Sequence, residues 1–219
     1  MKTLTNLMSM ILILVIIGVT VNAQETKNQP TKKQQKEQAE KIEKGAKADA
    51  KRFKKEGYTN PIGTQPLDMQ FERAWKMESE LLDDGHPKYI VEIGSAVAET
   101  QSAAKVQAFQ SAKMTIAGNI SSQVGELAKN NFSNAQLNSE EATSVTKTIA
   151  TSQTLVAQSL GRIITLVEAT RPVGKNIEYN VRLAYDFNEA KTIAKNILRK
   201  QLEEDAKLMQ EKIDKIINF

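Results

Sequence analysis

The chain has 219 residues, a formal net charge of +4 and no cysteine. Missing cysteine excludes disulfides, thiolate metal sites and lipid attachment through a cysteine, so a folded domain here must be held by its core alone. The positive charge is concentrated between residues 24 and 56, with 11 Lys and Arg against 6 Asp and Glu, whereas residues 57–219 are slightly acidic. A basic surface across the whole domain, as nucleic-acid binding would need, is therefore not expected.

Lys2 precedes an apolar block from Leu7 to Val19, followed by Val21-Asn22-Ala23 and a polar stretch. That order is the pattern of a secretory signal peptide, and it predicts cleavage between Ala23 and Gln24. The block is shorter than the ~20 apolar residues of a spanning helix, although a retained anchor is the alternative. Residues 24–56 follow as a basic Lys/Gln/Glu-rich arm, with the composition of a linker or a marginal helix. Its Lys32, Lys33, Lys36, Lys51, Arg52, Lys54 and Lys55 are candidate contacts to an anionic lipid or cell-wall glycan surface. Residues 57–219 have the size of a single domain.

Gly57–Pro66 carries turn chemistry. From Leu67 through Phe71, Ala74, Trp75, Leu81 and Leu82 the apolar spacing predicts a helix, stopped by Asp83-Asp84-Gly85-His86-Pro87. Tyr89 to Ile93 reads as a strand. A helix is then expected from near Ser95, with Ala104, Ala108, Ala112, Ile116, Ile120 and Val124 at intervals of four. Asn138 and Glu141 have the spacing of a capping box, and Val145, Ile149 and Val156 suggest the helix behind it. Leu160–Thr170 is β-branched, residues 171–176 form a hairpin loop, and Ile177 to Asp186 alternates like a half-buried antiparallel strand. Asp186 with Glu189 can cap a last helix, expected to run unbroken from Phe187 to Ile217. The order predicts an α+β domain: a small, mostly antiparallel three-stranded sheet packed on helices along one face, with a long C-terminal helix. In that helix Leu202, Ala206, Met209, Ile213 and Ile216 form a coiled-coil-like seam, which either folds onto its own domain, leaving the arm disordered, or serves for self-association or for pairing with the arm's weaker stripe at Ala39, Ile42, Ala46, Ala50 and Phe53.

Gly94-Ser95 stands between strand and helix, where nucleotide-binding proteins place a phosphate loop. Such loops need several glycines converging on the anion, and Gly94 is alone. The alanine row behind it indicates a helix backbone lying close to a sheet instead. His86, the single histidine, sits in a turn with no GxSxG serine to partner it, and no metal-ligand spacing is present. Asp83-Asp84 and Glu203-Glu204-Asp205 read as solvated surface charges. No catalytic residue, cofactor or metal site is expected, and the chain is read as a non-enzymatic protein.

The segments PKYIVEIGSAVAETQSAAKVQAFQSAKMTIAGNI and SLGRIITLVEATRPVGKNIEYNVRLAYD, followed by a last helix, resemble the Lpp-twenty-like family of bacterial cell-envelope proteins, over roughly Gly57 to Arg199. The resemblance implies an exported envelope domain of undefined role and carries over no catalytic residues. Many members are lipoproteins. This chain departs from them in having no cysteine to lipidate, so a periplasmic or secreted protein is expected, acting through protein–protein contacts with an envelope partner.

Overall fold

The computed structural model describes residues 32–204 and 208–218. The apolar block and the Ala23–Gln24 junction lie outside them. The fold is α+β: a three-stranded antiparallel sheet surrounded by helices. Strand β1 spans Tyr89–Ala98, β2 Ile164–Val173 and β3 Asn176–Asp186, with β3 in the centre of the order β1-β3-β2. The β2–β3 hairpin closes with Val173 opposite Asn176, and Gly174 supplies the positive φ of +61° that the tight turn requires. A bulge lies between Thr165 and Val167.

Helix α3 (Gln101–Asn130) packs across β1 and β3. Its row Ala104, Ala108, Ala112 and Ile116 is fully buried against Tyr179, Val181 and Leu183 of β3. The strand before it is longer than expected. It continues through Ser95 to Ala98, and the helix is capped by the Thr100 side chain, which accepts the Ala103 N–H at 3.2 Å. Gly94 is therefore mid-strand and not a turn. A Cβ there would overlap the Ala108 carbonyl oxygen and sit 2.7 Å from the Ala112 nitrogen. The strand has small residues because the α3 backbone passes directly over it.

Behind α3 pack α4 (Phe132–Ala135), α5 (Ser139–Thr151), α6 (Gln153–Ser159), α7 (Phe187–Glu204) and α8 (Gln210–Ile216). The capping box is present: Glu141 N–H donates to Asn138 Oδ1 and Asn138 N–H to Glu141 Oε2, both at 2.9 Å. Asp186 Oδ1 accepts the N–H groups of Asn188 and Glu189 and starts α7. The expected unbroken C-terminal helix is two helices. Leu208 and Met209 are not helical, Met209 being extended at ψ 142°. The break lets α8 fold back, so that Leu202, Ile213 and Ile216 are buried in the α3-side core and do not form an overhanging seam. Asn131 Nδ2 donates to the carbonyls of Ile216 and Asn218, and Lys212 meets Glu141 at 2.6 Å, fixing the returned helix.

Helices also cover the opposite face of the sheet, which makes three layers where helices on a single face were expected. Helix α2 (Leu67–Glu78) follows Pro66 and ends earlier than the apolar spacing suggests; Leu81 instead bridges Pro87. Helix α1 (Lys32–Lys55) lies on α2. From Lys32 onward the basic segment is thus a continuous helix packed on the domain: Ala46, Ala50 and Phe53 are buried with Leu67, Phe71, Ala74, Val167 and Ala169. Phe53 meets the Phe71 ring edge-on at 4.9 Å and the Tyr58 ring at 4.8 Å. At Gly45 the helix passes so close to the Trp75 ring that a Cβ would lie 2.7 Å from it. The apolar stripes of α1 and α7–α8 belong to cores on opposite sides of the sheet and do not pair.

Candidate functional site

The seven arm cations all lie on α1 and are all exposed. A helix turns 100° per residue, so burying Ala46, Ala50 and Phe53 puts Lys44, Lys47, Lys51 and Lys55 on the side facing water. Much of the charge is neutralised locally. Lys33 pairs with Glu37 at 3.9 Å, Lys36 with Glu40 at 3.8 Å and Lys54 with Asp68 at 2.6 Å. Arg52 reaches back to Asp49 at 2.9 Å, which raises its pKa, and its guanidinium lies 5.2 Å from the centre of the Phe53 ring. Burial pushes the Asp49 carboxyl up, but bonds from Arg52 and Trp75 and the charge of Arg182 outweigh it and hold the group below the usual range. Trp75 Nε1 donates to Asp49 at 3.0 Å, so Asp49 helps tie α1 to α2. Lys44, Lys51 and Lys55 make no ion pair among the described residues. The free positive face is thus a short row in the second half of α1, narrower than the seven cations suggest. Lys44, which the charge count did not single out, belongs to it through helical phase alone.

The ionisable groups near the sheet serve as ties between elements. Glu168 on β2 takes a bond from the Tyr179 hydroxyl and an ion pair with Lys105 of α3 at 2.7 Å. Burial first, then the Glu168 carboxylate, holds the Tyr179 phenol far above its usual range. Arg171 is bonded to Glu178 at 2.6 Å and lies 4.5 Å from the Tyr58 ring centre. Burial and Glu178 push the Tyr58 phenol up to about 12. Arg182 joins β3 to Glu78 of α2 at 2.8 Å. Glu168, Glu178 and Glu78 thus each face a cation or a phenol, an arrangement that ties strands to one another and to the helices.

His86 is exposed in its turn, with its backbone N–H bonded to Asp84 Oδ1. Asp83 and Asp84 border a shallow opening with Leu81, Leu82 and Asn188. Glu203 and Glu204 are exposed at the end of α7, and Asp205 lies outside the described residues. Among the described residues no three His, Cys, Asp or Glu side chains converge as metal ligands, and no helix is long and apolar enough to cross a membrane. An open cleft of about 590 Å³ lies beside Trp75, lined by Glu37, Lys41, Ile42, Glu78 and Ser79.

The two edges of the sheet differ, a feature that depends on strand order and so escaped the sequence. The β2 edge is sealed by its own chain. Thr59 and Thr170 exchange two backbone bonds at 2.8 Å, Gln70 Oε1 accepts the Glu168 N–H at 2.7 Å, and Arg73 donates to the Thr165 carbonyl. Gln70, itself buried, also donates to the Gln65 carbonyl. Along the outer edge of β1 no described residue bonds the backbone of Val91, Ile93, Ser95 or Val97. Ile93 and Val97 stand 51% and 47% exposed beside it. Compared with protein-family models, curated proteins and solved structures, the chain matches none. What the geometry defines is an α+β domain with one sealed and one open sheet edge and a basic helical face.

Proposed function

We propose that this chain is an exported, non-enzymatic protein of the bacterial cell envelope that works through protein–protein contacts. The open β1 edge is the observation that carries the reading. A strand edge flanked by exposed apolar side chains offers main-chain bonds and apolar area to another polypeptide. The ionisable groups at the sheet support it, because they are engaged in pairs that join elements. Export rests on the apolar block ending in Val21-Asn22-Ala23, and placement in the envelope rests on the resemblance to the Lpp-twenty-like pattern. The test has two parts. Intact mass of the protein recovered from the envelope fraction should correspond to a chain beginning at Gln24; a mass retaining residues 1–23 would count against cleavage. Cross-linking in that fraction should yield protein adducts that Ile93→Lys abolishes; unchanged adducts would remove the edge from the function.

A second reading is favoured by the row Lys44, Lys51 and Lys55: contact with an anionic lipid or cell-wall glycan. Binding through such a row weakens steeply with salt. Replacing the three lysines by Gln should abolish co-sedimentation with anionic vesicles at low ionic strength. Binding that is unaffected by the replacement would sink this reading.

A further inference from the structure

The bonding pattern of the sheet fixes which backbone groups of β1 point outward. On β2, Glu168 and Thr170 direct theirs to the outer edge, to Gln70 and Thr59. Antiparallel ladders alternate, so Val167, Ala169 and Arg171 face β3, bonding Arg182, Asn180 and Glu178. The intervening residues of β3, Tyr179, Val181 and Leu183, then face β1 and bond Ala96, Gly94 and Glu92. The bond from Phe187 N–H to the Lys88 carbonyl continues that same even-numbered series on β1. The odd-numbered residues Val91, Ile93, Ser95 and Val97 are left with N–H and C=O groups directed away from the sheet. Their side chains lie on the α2 side, where Ile93, Ser95 and Val97 are exposed.

We infer that this edge pairs with the same edge of a second copy of the chain, β1 against β1 in antiparallel register centred on Ser95, forming one six-stranded sheet. The inference rests on the protein–protein reading above and names its partner. Two copies joined edge to edge by a two-fold axis perpendicular to the sheet keep each side chain on its own face, so only residues of like parity oppose each other. With Ser95 opposite Ser95, each Ile93 faces the other copy's Val97, and the two exposed apolar residues of the edge cover each other. Glu92 falls opposite Ala98 and Glu99 opposite Val91, so no like charges meet. A register centred on Gly94 or on Ala96 leaves Ile93 opposite Ser95 or Glu99. The Ser95 register makes about six main-chain hydrogen bonds from Ile93, Ser95 and Val97 of both copies. Between Ile90 and Ala98 the strand has no proline or lysine and a single charge, so it lacks the usual protection of an exposed edge.

Lys105 and Phe109 mark the side of α3 that turns toward β2 and β3, because Lys105 reaches Glu168 and the Tyr179 ring. The opposite flank, which overhangs the open edge, consists of Ala103, Gln107, Ser111 and Thr115, all exposed. That flank carries no charged or large apolar side chain beside the edge.

The experiment uses the purified, untruncated protein. Sedimentation equilibrium should give twice the monomer mass, and Ser95→Pro, which removes an outward N–H, should return the monomer mass. Ile93→Lys does the same without altering the backbone, with circular dichroism and melting to show that both variants fold. Because the chain has no cysteine, single-cysteine variants report the register. Oxidised Ser95→Cys should form a cross-linked dimer. Ile93→Cys and Val97→Cys should cross-link when mixed and not alone. A monomer mass whose Ile93, Ser95 and Val97 amides exchange freely overturns the inference. So does a monomer mass with those amides protected, since another segment of the same chain would then occupy the edge. A dimer indifferent to Ser95→Pro and Ile93→Lys overturns it as well. If the protein is monomeric yet its edge-dependent adducts with other envelope proteins persist, self-pairing fails while the protein-contact reading stands.

Discussion

On one face of the sheet the backbone of α3 rides directly on Gly94, with Ala104, Ala108 and Ala112 as the spacers. On the other face Phe53, Tyr58 and Phe71 hold α1 and α2 at ring distance. Both faces exclude water, but they tolerate error differently. Alanines pressed against a strand backbone leave nothing that can rotate away. Aromatic rings contribute more area each and keep rotamer freedom with which to adjust. The first face should therefore fail through added atoms and the second through lost ones.

Gly94→Val is the sharpest way to break this contrast and should have the largest effect. Its Cβ would overlap the Ala108 carbonyl oxygen and press on Ala112. Core overpacking ordinarily costs about 1–3 kcal/mol, but here the obstacle is helix backbone, which cannot change rotamer, so the cost exceeds that range. Thermal melting should show loss of the cooperative transition. A variant that melts like the wild type would mean that α3 does not sit on β1. Phe71→Ala tests the other face. Phe71 is fully buried, and its removal should cost about 3–5 kcal/mol while leaving a cooperative melt. Hydrogen exchange should quicken in α1 before it changes in α3; equal loosening of both would erase the distinction between the two faces.

The alanine-spaced face was the more legible in sequence. A small residue every fourth position names both a helix and its closeness to a partner, and the caps at Asn138 and Asp186 are local chemistry that the structure reproduces. The start of α3 was misplaced because Gly94-Ser95 looks like the end of a strand. Small residues there reflect the helix passing overhead, a non-local cause. Attachment of α1 was hidden for a similar reason: Lys, Gln and Glu describe its wet side, while its buried side is short and its partners Phe71 and Trp75 lie beyond a turn. The Leu202–Ile216 seam fits a straight overhang or a folded return equally well, and the non-helical Met209 decides between them. At the candidate surfaces the lysines were visible, but their pairing and phase were not. The open edge follows from the order β1-β3-β2, which no local pattern encodes.

The sealed edge supplies a smaller test. Gln70→Leu keeps the bulk but leaves the Glu168 N–H and the Gln65 carbonyl without their partners. An unsatisfied buried polar group costs about 1–3 kcal/mol. Guanidinium unfolding should report a loss in that range, with faster exchange of the Glu168 amide. An unchanged midpoint would show that Gln70 does not seal the edge.

The smallest effect is expected at Glu92, on the α3 side of the open strand, where Asn119 Nδ2 donates to its carboxylate. Burial raises its pKa above the ordinary 4.5, and the Asn119 bond only partly offsets the rise. A carboxyl whose pKa is higher in the folded than in the unfolded state binds its proton more tightly when folded. Ionisation then costs stability as pH rises from the unfolded value through the folded one, and the cost is complete above both. Glu92→Gln removes the charge and keeps an oxygen to accept from Asn119. Its melting temperature should match the wild type well below pH 4.5 and slightly exceed it at neutral pH, solvent screening of this partly exposed group keeping the effect small. Pairing of two β1 edges would bury Glu92 further against Ala98 of the second copy. The neutral-pH gain should therefore grow with protein concentration, and a gain that is the same at pH 3 and pH 7 would show that burial of the charge is not its source.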